Sequence, residues 1–277
     1  MSAQDDYRSV GEHYARDDLA AAILTALREA GKDPNSVTAQ DLAPVDQLHT
    51  RGKDATLELA RLAGITSKMQ VLDVGGGLGG PARTLATEIG CSVEVLDVTE
   101  EFCRAGDILT TRTGLGDLVS FRHASALDVP HPDASFDAVW MQHSSMNIPD
   151  KEQLYTEIHR VLRPCGRLAL HEILAGPVSP IHLPVPWARD PALSHLRPPA
   201  QTRALLRETG FEELAWIDET APALSWYRER LAPTPGEPPP LGPHLVFGEV
   251  FGEMSRNQVR NLSEGRISVF QALFQRQ

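Results

Sequence analysis

The residues that most narrowly limit the chemistry of this chain are the glycines of VLDVGGGLGGPA, at 71–82. Between a strand and a helix they let a ligand approach the backbone, and the free N–H groups at the helix start favour an anionic group. Gly75, Gly77 and Gly80 satisfy the G-x-G-x-x-G spacing of dinucleotide sites, with Asp97 near the distance expected of a ribose partner. On these residues alone a dinucleotide site stays open, as does a reading of Asp97 as a solvated loop acid.

A second group lies in WMQHSSMNIPD, at 140–150. His143 has a side chain suited to taking a proton near neutral pH, or else serves only to pack and hydrogen-bond. Gln142 can close over a ligand. Ser144, Ser145 and Asn147 can orient an acceptor or cap the helix that starts near 150. Upstream, His49 and Arg51 can reach a carboxylate or an acceptor, although a solvent-facing Arg51 is an equal reading. His171 and Glu172 begin no HExxH helix, and His182 and His195 lie in irregular sequence, so no metal is expected. Cys91, Cys103 and Cys165 form no CxxC pair and read as reduced thiols without a catalytic role.

These residues need elements to carry them. Apolar periodicity predicts helices over 17–30 and 52–63, the linker between them being a candidate lid. From 69 onward the pattern runs strand, glycine turn, helix, strand, with helices at about 99–113 and 150–162 and strands at VSFRH, FDAVWMQH and RLALHEIL. Such alternation predicts a parallel sheet wrapped on both faces. Seven prolines, together with His182 and Trp187, make 177–200 an irregular substrate cover. TRALLRETG, FEELAWIDE and ISVFQALFQ then return the chain to the sheet. The helix over 246–266 reads as an amphipathic packing helix whose Met254 can still line a pocket. A second proline-rich breaker occupies 233–243. The expected parts are an N-terminal helix and lid (1–50), a ligand-binding core (51–176), the cover (177–200) and a C-terminal part completing the sheet (201–277).

The order of motifs goes further than the glycines. Asp73-x-Gly75-x-Gly77-x-Gly79, Asp97 ending a second strand, ALDVPHPDASFDAVW at 126–140 and EIHRVLRPCGRLAL at 157–170 resemble, over about 48–175, the class I S-adenosylmethionine-dependent methyltransferases. Within that class the chain is similar to the small-molecule, type 11 group, which includes sarcosine and dimethylglycine methyltransferases. The resemblance implies a Rossmann-like, doubly wound, mostly parallel seven-stranded sheet with a small cap. It also implies S-adenosylmethionine as cofactor. Gly75, Gly77 and Gly79 would then face its methionine part, with Gly76 also in the cofactor site, and Asp97 its ribose hydroxyls. Asp73 would support the loop, Gln142 would close over the cofactor, and Arg51 would reach its carboxylate. Where such proteins carry an acid for the adenine amino group, this chain has Ser125. Adenine is then left to Ser125, the backbone near Ala126, packing against Val98 and Leu127, or Asp128. His49, Ser145, Asn147, His182, Trp187 and Met254 are the acceptor-binding candidates, and His143 the catalytic one.

Composition narrows the partners. Lys plus Arg number 26 against 37 Asp plus Glu, a formal net charge of -11, with no basic cluster. Nucleic acid and anionic membrane are therefore not expected, and a small acceptor is. A homodimer is compatible with the chain. The acidic N-terminal residues and the lack of a long apolar run make the cytoplasm the expected location. The leading expectation is N-methylation of a small amine or amino-acid-like acceptor, with O- or C-methylation of a specialised metabolite as alternative. Rivals of another class are an NAD-dependent oxidoreductase and a non-catalytic S-adenosylmethionine-binding protein.

Overall fold

The computed structural model describes residues 13–14, 18–231 and 239–277. The N-terminal end of the expected lid region and most of the second proline-rich breaker lie outside the described residues.

Seven strands form one sheet: β1 (Gln70–Val74), β2 (Ser92–Asp97), β3 (Val119–His123), β4 (Phe136–Gln142), β5 (Leu162–Ala175), β6 (Phe211–Asp218) and β7 (Ile267–Arg276). Their order is β3-β2-β1-β4-β5-β7-β6. Neighbours from β3 to β5 are parallel, and β7 runs antiparallel to both β5 and β6. The direction of winding reverses between β1 and β4, and a crevice opens at such a switch point beyond the strand ends.

Strand parity explains the two-sided core. Val71, Val93, Val95, Ala138 and Trp140 pack on one face, and Leu72, Val74, Leu96, Val139 and Met141 on the other. Ten helices in the described residues surround the sheet: α1 (Leu19–Glu29), α2 (Ala39–Asp46), α3 (Gly52–Ala63), α4 (Gly80–Ile89), α5 (Glu100–Arg112), α6 (Lys151–Val161), α7 (Pro199–Glu208), α8 (Thr220–Arg230), α9 (His244–Phe247) and α10 (Phe251–Ser263). Leu59, Ala60 and Ala63 of α3 join Ala82, Leu85 and Ala86 of α4 on the first face. Leu154, Tyr155, Ile158 and Val161 of α6 cover the second.

Two elements differ from expectation. The supposed linker contains α2, begun by a capping box in which Thr38 Oγ1 accepts the Asp41 N–H at 3.2 Å and Asp41 Oδ2 accepts the Thr38 N–H at 2.9 Å. Pro44 inside it masked the helical pattern. The expected helix over 246–266 is two helices, because Gly248 takes φ +76° between α9 and α10. The cover contains one short 3-10 turn, Pro191–Leu193, and buries Val185, Trp187 and Ala188 against Met146, Ile173 and Ala223. Among the described residues no helix is long and apolar enough to cross a membrane.

Candidate active site

A cavity holding about 1240 Å³ of unfilled space, open mouth included, lies over the ends of β1, β2 and β4. Its floor is the turn after β1. The Gly75 N–H donates to Leu96 O at 2.7 Å and the Gly77 N–H to Asp97 Oδ2 at 2.9 Å, while Asp97 Oδ1 accepts the Thr99 N–H at 2.8 Å. Asp97 is thereby held at the strand end with lone pairs to spare. Two glycines are needed there for space. Gly75 has φ +71°, and a Cβ on it would stand 2.4 Å from Ser144 Cβ; one on Gly76 would stand 2.5 Å from Asp73 Oδ2.

The charge around this floor is one-sided. Asp46, Asp73 and Asp97 all reach the cavity wall, and among the described residues no Lys or Arg does. Asp73 is 1% exposed, Oδ2 has no hydrogen-bond partner among the described residues, and burial, with Asp97 nearby, pushes its carboxyl up to about 8. Asp46 Oδ2 accepts from Arg83 Nη2 at 2.7 Å, but Oδ1 is likewise unpartnered, and burial outweighs Arg83 in holding its pKa above the usual carboxylate range. Burial raises Asp97 as well, against the two backbone N–H groups that lower it.

Two buried histidines, His49 and His171, and the half-buried His143 stand beside the floor. The His143 and His171 rings are 4.9 Å apart, and His49 lies 6.2 and 5.8 Å from them. Burial depresses all three, His49 to about 4 and the others well below the usual range, so each is neutral at pH 7. His143 is held at φ +54° with its N–H on His171 O, and its Nε2 has no partner among the described residues. A left-handed backbone at a non-glycine costs about 1–2 kcal/mol. Gln142 Oε1 accepts from Trp140 Nε1 at 2.8 Å and from Thr56 Oγ1 at 3.0 Å, which fixes the orientation of its amide on the wall. Among the described residues no three His, Cys, Asp or Glu are grouped to hold a metal.

Behind the wall stands a residue that sequence reading left without a role. Glu172, buried on β5, accepts the N–H groups of Ser144 and Ser145 at 3.3 and 3.2 Å, and the Ser145 hydroxyl at 2.9 Å. Lys151, lowered to about 7 by burial, donates to Ser145 O and Ile148 O. The loop carrying His143 is thus clamped from beneath.

The remaining wall is largely apolar and aromatic: Tyr14, Phe102, Met146, Ile173, Trp187 and Phe247. Asn147 ties it together, donating to Trp187 O at 2.7 Å and accepting from the Tyr14 hydroxyl at 3.1 Å. Of the residues singled out from sequence, His49, Asp73, Gly75, Gly76, Gly77, Asp97, Val98, Ala126, Gln142, His143, Asn147 and Trp187 reach the cavity.

Seven do not. Arg51 pairs with Glu58 and Glu219, at 2.7 and 2.5 Å. Gly79 is tight against the Phe121 ring. The Ser125 hydroxyl accepts the Leu127 N–H at 3.0 Å, turning both residues into their own loop. Ser145 is spent on Glu172. His182 pairs with Glu264 at 2.8 Å, and Met254 is fully buried in the core with α1. Asp46, Tyr14, Phe102, Tyr227, Phe247 and Gln258 complete the wall without having been assigned to it, since they come from segments far apart in the chain.

A sheet of this order, its last strand reversed and a glycine turn facing an acid at the end of β2, defines the Rossmann-like class I methyltransferase fold. Residues 72–170, from β1 into β5, match the family described as "Methyltransferase domain". The chain is 34% identical over 168 residues to Methyltransferase GfsG of Streptomyces halstedii, covering 60% of this chain and 58% of that protein. It is 32% identical over 180 residues to the sarcosine/dimethylglycine N-methyltransferase of Halorhodospira halochloris, covering 65% of this chain and 64% of that protein. It therefore spans less than two thirds of the length of either relative. Among solved structures, the geranyl diphosphate C-methyltransferase from Streptomyces coelicolor A3(2), in complex with Mg2+, geranyl-S-thiolodiphosphate and S-adenosyl-L-homocysteine, aligns with a TM-score of 0.71. That alignment covers 100% of this chain and 99% of that one at 16% identity, a likeness of fold.

Proposed function

We propose that this chain is an S-adenosylmethionine-dependent methyltransferase acting on an uncharged, largely apolar small molecule. The observation that carries this reading is the carboxyl lining of the cavity floor: Asp73 and Asp97 stand around the glycine turn, with Asp46 beside them already paired with Arg83, and no Lys or Arg is among the described residues of the wall. Such a floor suits the sulfonium and ammonium of S-adenosylmethionine. It opposes the pyrophosphate of a dinucleotide, which the same glycine spacing would otherwise admit. Asp97, with lone pairs left over, can serve as a ribose partner. Asp73 Oδ2 and Asp46 Oδ1, buried with no hydrogen-bond partner among the described residues, support it as acids whose charged form a nearby cation would favour.

When bound, the cofactor supplies an electrophilic methyl group. The residues of the chain then have to align the acceptor and exclude water, and alignment alone contributes on the order of 7 kcal/mol or more in favourable cases. Trp187, Tyr14 and Phe247 wall off solvent, and the clamped 143–145 loop holds the near side. His143, neutral and with no partner for Nε2 among the described residues, is the candidate to accept the proton of a hydroxyl acceptor.

The aromatic wall, free of carboxylates away from the floor among the described residues, favours methylation at oxygen or carbon of a neutral metabolite. N-methylation of a small amine is the second reading, supported by the likeness to the sarcosine/dimethylglycine enzyme. The test is calorimetric titration with S-adenosylmethionine, S-adenosylhomocysteine and NAD, followed by an S-adenosylhomocysteine-release screen over phenols, ketones and amines. Asp97→Ala is expected to weaken cofactor binding by about 10- to 100-fold, from loss of charge-assisted hydrogen bonds. Binding of NAD but not S-adenosylmethionine would overturn the reading; cofactor binding without any S-adenosylhomocysteine release would leave a non-catalytic binding protein.

A further inference from the structure

Opposite the glycine turn in sequence and element, α10 contributes one polar residue to the cavity wall. Met254, Gln258 and Leu262 follow one another at four-residue spacing on the buried stripe of that helix, with exposures of 0%, 0% and 4%. The two apolar members pack into core clusters, and a Leu or Met at 258 would continue the stripe.

Gln258 instead brings an amide into the wall, and neither Oε1 nor Nε2 completes a hydrogen bond of normal geometry among the described residues. The Tyr227 hydroxyl lies within side-chain hydrogen-bonding reach of that amide and of Thr50. The helix satisfies its other buried polar groups. Asn261 accepts from the His182 N–H at 2.8 Å and donates to His182 O at 3.0 Å, and the Ser255 hydroxyl donates to Phe251 O at 2.9 Å. A buried amide without a well-formed hydrogen bond carries a persistent free-energy cost, and the cavity that Gln258 lines is where a better partner could bind.

We propose that Gln258 is a specificity-determining residue whose amide reads, through one donor and one acceptor, a neutral group on the methyl acceptor that accepts and donates at adjacent atoms, such as a carboxamide, a lactam or a hydroxy-ketone. This rests on the methyltransferase reading for the identity of the ligand. The Tyr227 hydroxyl is placed to share that group, and Trp187 and Phe247 enclose the apolar remainder. A carboxylate or phosphate at the same place would find no Lys or Arg among the described residues of the wall to neutralise it.

The experiment pairs two readouts on the full chain. First, the melting temperature of the free protein is compared between wild type, the near-isosteric Gln258→Met and Gln258→Leu. If the amide waits for a ligand, removing it raises Tm, by roughly 2 °C or more. A lower Tm in both variants would overturn the proposal, because the amide would then be satisfied by the protein itself. Second, S-adenosylhomocysteine release is followed with salicylamide, 2-hydroxyacetophenone, methyl salicylate and salicylate, alongside a broad panel of phenols and ketones. Wild type is expected to prefer the amide over the matched ester and acid by roughly tenfold or more in kcat/KM, and Gln258→Met to lose that preference while binding S-adenosylhomocysteine as wild type does. Turnover by wild type confined to acceptors lacking such a group would overturn the assignment. If wild type binds no S-adenosylmethionine, the methyltransferase reading fails, while the Tm comparison still decides whether Gln258 faces a ligand.

Discussion

At the scale of single residues, the carboxylates of the cavity floor behave unlike surface acids because water has been taken from them. Asp73 is the clearest case, its carboxyl pushed up to about 8 by burial and by Asp97. A group whose pKa is raised in the folded state contributes stability that is complete below its unfolded value and is lost as pH rises through the folded one. The free protein should therefore lose stability from this residue between about pH 4 and 8. A bound cation reverses that trend by favouring the charged carboxylate. Affinity for S-adenosylmethionine is accordingly expected to rise with pH up to about 8, by up to about tenfold per unit, and then level off. Titration across pH 6–9 beside Asp73→Asn isolates the effect, since the cofactor's own amino group titrates in both. A constant ratio of the two affinities across that range would rule out Asp73 as a cation partner.

Elements place those residues, and the loop after β4 shows how. His143 is held in a left-handed backbone conformation, and what holds it is the strand next door: His171 O accepts its N–H, and Glu172 accepts the N–H groups of Ser144 and Ser145. Glu172→Gln keeps the size and removes the charge, so the N–H groups face a weaker acceptor and Lys151 loses its counter-charge. The expected result is a loss of about 1–3 kcal/mol in urea unfolding and a fall in kcat, with cofactor affinity near wild type, because Glu172 is not among the residues that line the cavity. Cofactor affinity that falls in step with kcat would place the clamp on the wrong ligand. No HExxH or other motif marks Glu172; its role arises because strand pairing sets β5 beside β4.

For the whole molecule, the joint between the N-terminal helices and the sheet is the buried Asp46–Arg83 pair. Arg83, fully buried on α4, also donates to Leu78 O at 2.6 Å and to Thr110 Oγ1 at 2.7 Å, so it links α2, the glycine turn and α5. Asp46→Ala leaves that guanidinium buried without its carboxylate and is expected to cost about 3–5 kcal/mol. Urea unfolding measures it; a loss under about 1 kcal/mol would mean that water reaches Arg83 and that α2 is not fastened there.

What the sequence determined by itself was whatever depends on neighbours along the chain. Alternating strands and helices implied the wrapped parallel sheet, and the order of glycine turn, Asp97 and the later motifs identified the domain, because each motif is local. The residues of the glycine turn and of 142–147 were legible for the same reason, since a strand delivers the loop at its C-terminal end to one edge of the sheet. The tertiary structure alone decided which distant side chains meet that edge. It drew in Asp46, Tyr227 and Gln258 from three separate helices, and it took Arg51, His182 and Met254 out of the site by giving each a partner or a place in the core. An ion pair, or an unpaired amide, is a property of what lies across the fold, and spacing along the chain carries no record of it.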